Sequence, residues 1–128
     1  MDKADLNHLS KEILDASIAV HREMGPGLLE SVYEYCLTKE LQLRGINVEN
    51  QVPIPLYYKG ELLHKDFRID ILVDNEIIIE LKAVEMILPV HEAQIISYLK
   101  LTNKKLGFLI NFNVPLLKDG FRRFVNNF

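Results

Sequence analysis

The sequence predicts a single mixed α/β domain, residues 1–128, with the element order ααβββαβ. Three observations carry that expectation. Apolar residues recur at helical spacing in two stretches before residue 45. Residues 48–84 are rich in β-branched and aromatic side chains and contain turn signals at Lys59-Gly60 and Asp74-Asn75. A further helical stretch then leads into "LGFLINF" (Leu106 to Phe112), a short and nearly all-apolar run.

Leu6, Leu9, Ile13, Ala16, Ser17, Val20 and Met24 define one face of an amphipathic helix over 5–24, packed on the rest of the domain. "GPG" (Gly25-Pro26-Gly27) breaks it. Leu29, Val32, Tyr33, Cys36, Leu37 and Leu41 form the apolar side of a second helix, and "RGIN" (Arg44 to Asn47) supplies its glycine stop. Three strands follow near 49–58, 62–73 and 76–84, the first an edge strand at least in part because of Pro53 and Pro55. Residues 90–102 read as a helix. The run at 106–112 reads as a strand buried on both faces, and "LKDGFRRFVNNF" closes the chain with a short helix.

The bulk numbers narrow the function classes. An apolar share of 48% with 26% charged residues is that of a soluble globular protein, and no run has the apolar length that spans a membrane. The polar start "MDKADLNHLSKEI" is unlike a signal peptide, so a cytoplasmic chain is expected. One cysteine, Cys36, excludes an internal disulfide and a multi-cysteine zinc site; its helical apolar position reads as a buried thiol. Net charge is −3, unevenly spread: residues 1–98 sum to −8 and residues 99–128 to +5. The basic end is either a phosphate-facing surface or a solvated one.

"DILVDNEIIIELK" (Asp70 to Lys82) reads as a hairpin interrupted by Asp70, Glu80 and Lys82. Side chains alternate along a strand, so the loop length decides which residues share a face. A two-residue loop pairs Val73 with Glu76 and turns Asp70 away from Glu80. A three-residue loop, Asp74-Asn75-Glu76, pairs Val73 with Ile77 and sets Asp70 opposite Glu80. The second register gathers Ile69, Ile71, Val73, Ile77, Ile79 and Leu81 on one dry face, and burial of a face strongly specifies register. The three-residue loop is therefore expected, with Asp70, Glu80 and Lys82 clustered on the other face.

Two adjacent carboxylates repel, and a shared hard cation relieves them. Oxygen-only ligands suit Mg²⁺ or Mn²⁺, with water in the remaining positions. Lys82 could orient or deprotonate a water, or stabilise charge developing on phosphorus. A surface Asp-Glu-Lys salt-bridge set is the competing reading of these three residues taken alone.

With those residues in view, the chain resembles the PD-(D/E)XK nuclease superfamily, which includes restriction endonucleases and RecB-type exonucleases. Asp70, Glu80 and Lys82 resemble its D…ExK core, and the element order resembles its restriction-endonuclease-like core with a mixed central sheet flanked by helices. "GLLESVY" (Gly27, Glu30, Tyr33) matches the GxxExxY signature of a group of predicted bacterial nucleases within it. "HEAQIISYLK" places Gln94 and Tyr98 four apart on a helix, similar to the Q-x-x-x-Y of RecB-like members. Ile69 stands where the motif's name has proline, its most dispensable position.

The resemblance implies roles. Asp70 and Glu80 would hold a divalent metal, with the Leu81 backbone carbonyl as a third protein ligand and Glu30 as an added acid from the second helix. Lys82 would be the catalytic lysine. Gln94 and Tyr98 would bind substrate or support the site; His91, a turn earlier, reads as a surface or supporting residue. The implied protein is a Mg²⁺- or Mn²⁺-dependent phosphodiester hydrolase acting on nucleic acid, with DNA rather than RNA the expected substrate. A homodimer would let so small a core span a duplex. The alternative is a catalytically silent nuclease-fold module that binds nucleic acid or assembles complexes, against which the intact Asp70, Glu80 and Lys82 argue.

Overall fold

A computed structural model describes residues 1–64 and 67–128 of the chain. Helix α1 (Lys3–Met24) starts at Asp2, whose carboxylate accepts from the Asp5 N–H at 2.9 Å while Asp5 reaches back to the Asp2 N–H. These bonds satisfy donors that a helix start leaves unpaired. The "GPG" break closes on a side chain from the next helix, α2 (Glu30–Leu43). The Tyr33 hydroxyl donates to the Gly25 carbonyl at 2.6 Å and accepts from the Leu28 N–H at 3.1 Å. Gly27 has φ 94°, a conformation that an L side chain would strain. Tyr33 is fully buried and stacks on Phe112, centroids 4.5 Å apart, so the tyrosine of the sequence signature anchors the loop and α2 together.

The strands number seven among the described residues. They are β1 (Val48–Pro53), β2 (Leu56–Tyr58), β3 (Glu61–Leu63), β4 (Arg68–Val73), β5 (Ile77–Lys82), β6 (Leu106–Asn111) and β7 (Phe121–Val125). Five form one mixed sheet in the order β1-β4-β5-β6-β7, with β5 and β6 parallel and the other pairs antiparallel. The crossover between β5 and β6 is α3 (Pro89–Thr102). Helices α1 and α2 cover one face through Ile13, Leu37 and Leu41 against Ile71, Ile79 and Phe108. Helix α3 covers the other through Ile95, Tyr98 and Leu99 against Leu72, Ile78 and Leu109. Each fully buried Leu or Ile in these layers stabilises by about 2 kcal/mol. β6 is buried along its whole length, as its apolar run predicts. No helix among the described residues is long and apolar enough to cross a membrane.

Four expectations need correction. The first expected strand divides at Pro53-Ile54-Pro55 into the edge strand β1 and β2, because proline cannot donate to a ladder. The second divides as well: β3 pairs only with β2, through the Lys59-Gly60 turn, and β4 returns to the main sheet. The part of that expected strand at residues 65–66 lies outside the described residues. The closing helix is a single 3₁₀ turn, Leu117–Gly120, followed by β7, which takes the free edge of β6. Gly120 sits so close to the Asn111 carbonyl that a Cβ would collide with it. Cys36 is only partly buried, at the border of the α1/α2 core.

Candidate functional site

The site forms where β4 and β5 part. Asp74 and Asn75 take left-handed backbone angles, φ 53° and 57°, and the Glu76 N–H closes the turn onto the Val73 carbonyl at 2.9 Å. Glu76 is then passed over, so Val73 pairs with Ile77, Leu72 with Ile78 and Ile71 with Ile79. This is the three-residue register, and it sets Asp70 opposite Glu80. Pairing of β4 with β5 stops there. The Asp70 N–H points at Glu80 Oε2, 3.4 Å away, and the Leu81 N–H donates to Asp70 Oδ2 at 2.9 Å. Freed from β5, the strand follows β1 alone, and Ile69 packs in the α3-side cluster rather than on the face expected for it.

Glu80 is 4% exposed. Burial first, then the hydrogen-bonding contact with Asp70 and its negative charge, push the Glu80 carboxyl up to about 10. The Asp70 N–H and the Lys82 charge pull the other way and are outweighed. At neutral pH the ion-free pair therefore carries a proton. Lys82 is half-buried at the end of β5, near enough to act on Glu80 electrostatically, and its side chain makes no hydrogen bond or ion pair among the described residues.

The end of β5 is held by a residue that pattern reading passed over. Asn111, 3% exposed, accepts from the Val84 and Asn113 N–H groups at 3.1 and 3.2 Å and donates to the Val84 carbonyl at 2.9 Å. It is the register partner of Lys82, whose carbonyl accepts from the Phe112 N–H at 3.0 Å. Its sequence signal is a lone amide inside an apolar strand.

Helix α3 closes the site from the other side. His91 is part of its cap, with Nδ1 accepting from the Leu88 N–H at 3.0 Å. Gln94 Nε2 donates to the Tyr98 hydroxyl at 3.2 Å. Burial first, then the negative charge of Glu80, raise the Tyr98 pKa; the Gln94 hydrogen bond opposes them, and Asp70 adds a weaker rise.

Glu30 lies exposed in the first turn of α2, and its carboxylate has no partner among the described residues. No group of three or more acidic, histidine or cysteine side chains that could hold a metal is found among the described residues. The α2 acid that connects to the pair is Glu34, one turn later. Gln51 Nε2 donates to Glu34 Oε1 at 2.8 Å and reaches Asp70 Oδ1 at 3.4 Å. Neither residue carried a signal, because their meeting depends on how β1 pairs with β4.

Three of the six basic side chains in residues 99–128 are engaged elsewhere. Arg122 pairs with Glu92 at 2.9 Å, Lys104 reaches Asn75 at the turn end of the hairpin, and Arg123 stacks over Phe128.

Two carboxylates and no nitrogen or sulfur donor suit a hard divalent cation that keeps several waters. A cation there would replace the proton that Glu80 holds, so the donor set fits one. A family model described as the PD-(D/E)XK nuclease superfamily matches residues 7–124. The chain belongs to the PD-(D/E)XK nuclease superfamily. Its three helices and mixed five-stranded sheet are those of a restriction-endonuclease-like fold. PD-(D/E)XK nucleases typically use divalent metals, in keeping with the oxygen-only pair. No curated protein and no solved structure matches the chain.

Proposed function

We propose that this chain is a divalent-metal-dependent nuclease that hydrolyses phosphodiester bonds in nucleic acid, with DNA favoured over RNA as the reading of its substrate. The observation that carries the reading is the buried Glu80 carboxyl against the half-buried Asp70, with an uncommitted Lys82 beside them. A buried acid held protonated at Glu80 serves stability poorly. It suits a site whose charge is completed by a cation.

Asp70 and Glu80, with the Leu81 carbonyl and Glu30 as further candidates, would hold Mg²⁺ or Mn²⁺. The ion supplies Lewis-acid stabilisation of charge on the phosphoryl oxygens. Lys82 donates to the water or to the phosphoryl oxygen on which charge develops. Oxygen from water bonds to phosphorus as the P–O3′ bond breaks, leaving a 5′-phosphate and a 3′-hydroxyl. The water proton passes to solvent and the leaving oxygen takes one up. Gln94 and Tyr98, on the α3 wall, would contact substrate or hold the pair in place.

The test is cleavage of single-stranded DNA, double-stranded DNA and RNA by the full chain with Mg²⁺ or Mn²⁺, beside Lys82→Ala. Loss of a positioned proton donor or acceptor costs roughly 10²–10⁴ in turnover. Lys82→Ala is expected to fall in that range while its thermal transition stays at the parent's. Cleavage unchanged by the substitution removes Lys82 from the mechanism. A parent that binds nucleic acid yet cleaves no substrate favours the silent-module alternative.

A further inference from the structure

Within the edge strand β1, one residue leaves strand geometry. Gln51 has φ 51°, and it alone lacks a ladder partner between Asn50, paired with Ile71, and Val52, paired with Ile69. Left-handed angles elsewhere fall mostly on Gly, Asn and Asp, which tolerate them. The other departure, Lys59, stands in the two-residue turn of the β2–β3 hairpin. A glutamine held this way inside a paired strand is strained, and the strain points to what its side chain does.

That side chain spans two acids. Its Nε2 donates to Glu34 Oε1 and reaches Asp70 Oδ1. Glu34 is itself anchored, its Oε2 accepting from Asn50 Nδ2 at 3.1 Å; the same Asn50 amide donates to Thr38 at 2.8 Å. Asp70 Oδ2 is already taken by the Leu81 N–H. Oδ1, whose one contact is the longer Gln51 bond, is thus the less committed Asp70 oxygen, and each carboxylate oxygen offers two lone pairs. One of them faces Gln51, which sets the direction of the other.

We propose that Gln51, anchored on Glu34, is a positioning residue that aims Asp70 Oδ1 at a bound divalent cation. A neutral amide does this without adding charge to the pair, and partners that orient a metal ligand typically alter affinity or activity 10–100-fold when removed. The activity part of the claim rests on the nuclease reading; the cation part does not.

The experiment compares the full chain with Gln51→Gly, Glu34→Ala and the double variant, measuring Mn²⁺ binding by electron paramagnetic resonance and DNA cleavage by turnover. Glycine relieves the left-handed backbone, so Gln51→Gly should melt at or above the parent temperature while losing the amide. Expected are about 10–100-fold weaker Mn²⁺ binding and a matching fall in kcat, with KM changing less than about threefold. Glu34→Ala should move both in the same direction, and the double variant should be no worse than Gln51→Gly, because the two residues act as one strut. A folded Gln51→Gly that binds Mn²⁺ as the parent does overturns the assignment. If the parent binds Mn²⁺ but cleaves nothing, the nuclease reading falls and the Mn²⁺ comparison alone decides for or against Gln51. A parent that does not bind Mn²⁺ overturns both.

Discussion

The backbone N–H of Leu81 donates to Asp70 Oδ2 at 2.9 Å, where the β4–β5 ladder would otherwise continue beyond Ile71 and Ile79. A side chain has taken over the work of a backbone carbonyl. The strands can part at this point without leaving the donor unpaired, and the gap holds the Asp70 and Glu80 carboxyls. The same bond orients Asp70, so the opening of the sheet and the aim of the candidate ligand have one cause.

Glu80 predicts how stability depends on pH in the ion-free protein. The folded state keeps its proton up to about pH 10, whereas the unfolded chain releases it above the ordinary value of 4.5. The raised acid therefore contributes fully below pH 4.5, and that contribution is lost as pH rises toward 10. The decline approaches about 1.4 kcal/mol per pH unit within that window. Thermal melts in EDTA should show it. Glu80→Gln should flatten the decline and be the more stable protein at pH 8; a parent and variant with parallel pH profiles would contradict the buried protonated acid.

Divalent cations should act in the opposite sense. A ligand that binds only the folded state at about a hundred times its Kd stabilises by about 2.7 kcal/mol. For a chain of this size that is a rise on the order of 10 °C in Tm. Mg²⁺ or Mn²⁺ should produce such a rise in the parent and little in Asp70→Asn, as read by differential scanning fluorimetry at fixed pH. An equal rise in both proteins would move the cation away from Asp70.

Asn111 should matter to fold and site together. Asn111→Leu strands the Val84 and Asn113 N–H groups and the Val84 carbonyl, and each buried unsatisfied group costs about 1–3 kcal/mol. A loss of about 2–4 kcal/mol in chemical denaturation is expected. Turnover should fall as well at temperatures where the variant is folded, because Asn111 is the register partner of Lys82. Unchanged stability would mean that the loop after β5 finds other partners.

What the chain determined by itself is local. The first two helices follow from apolar spacing and the glycine-containing breaks that end them, and the third is expected over 90–102. The Asp70–Glu80 register follows from alternation, since only a three-residue loop buries Ile71, Val73, Ile77, Ile79 and Leu81 on one face. Tertiary structure decided what depends on partners distant in sequence. The C-terminal residues became β7 because the edge of β6 was free to pair with them. Glu80 became a protonated acid because α3 and the sheet exclude water from it. Glu34 and Gln51 entered the site because β1 docks on β4 beside α2. Periodicity records which face of an element is apolar; the side chains that meet at a sheet edge are set only when separate elements pack.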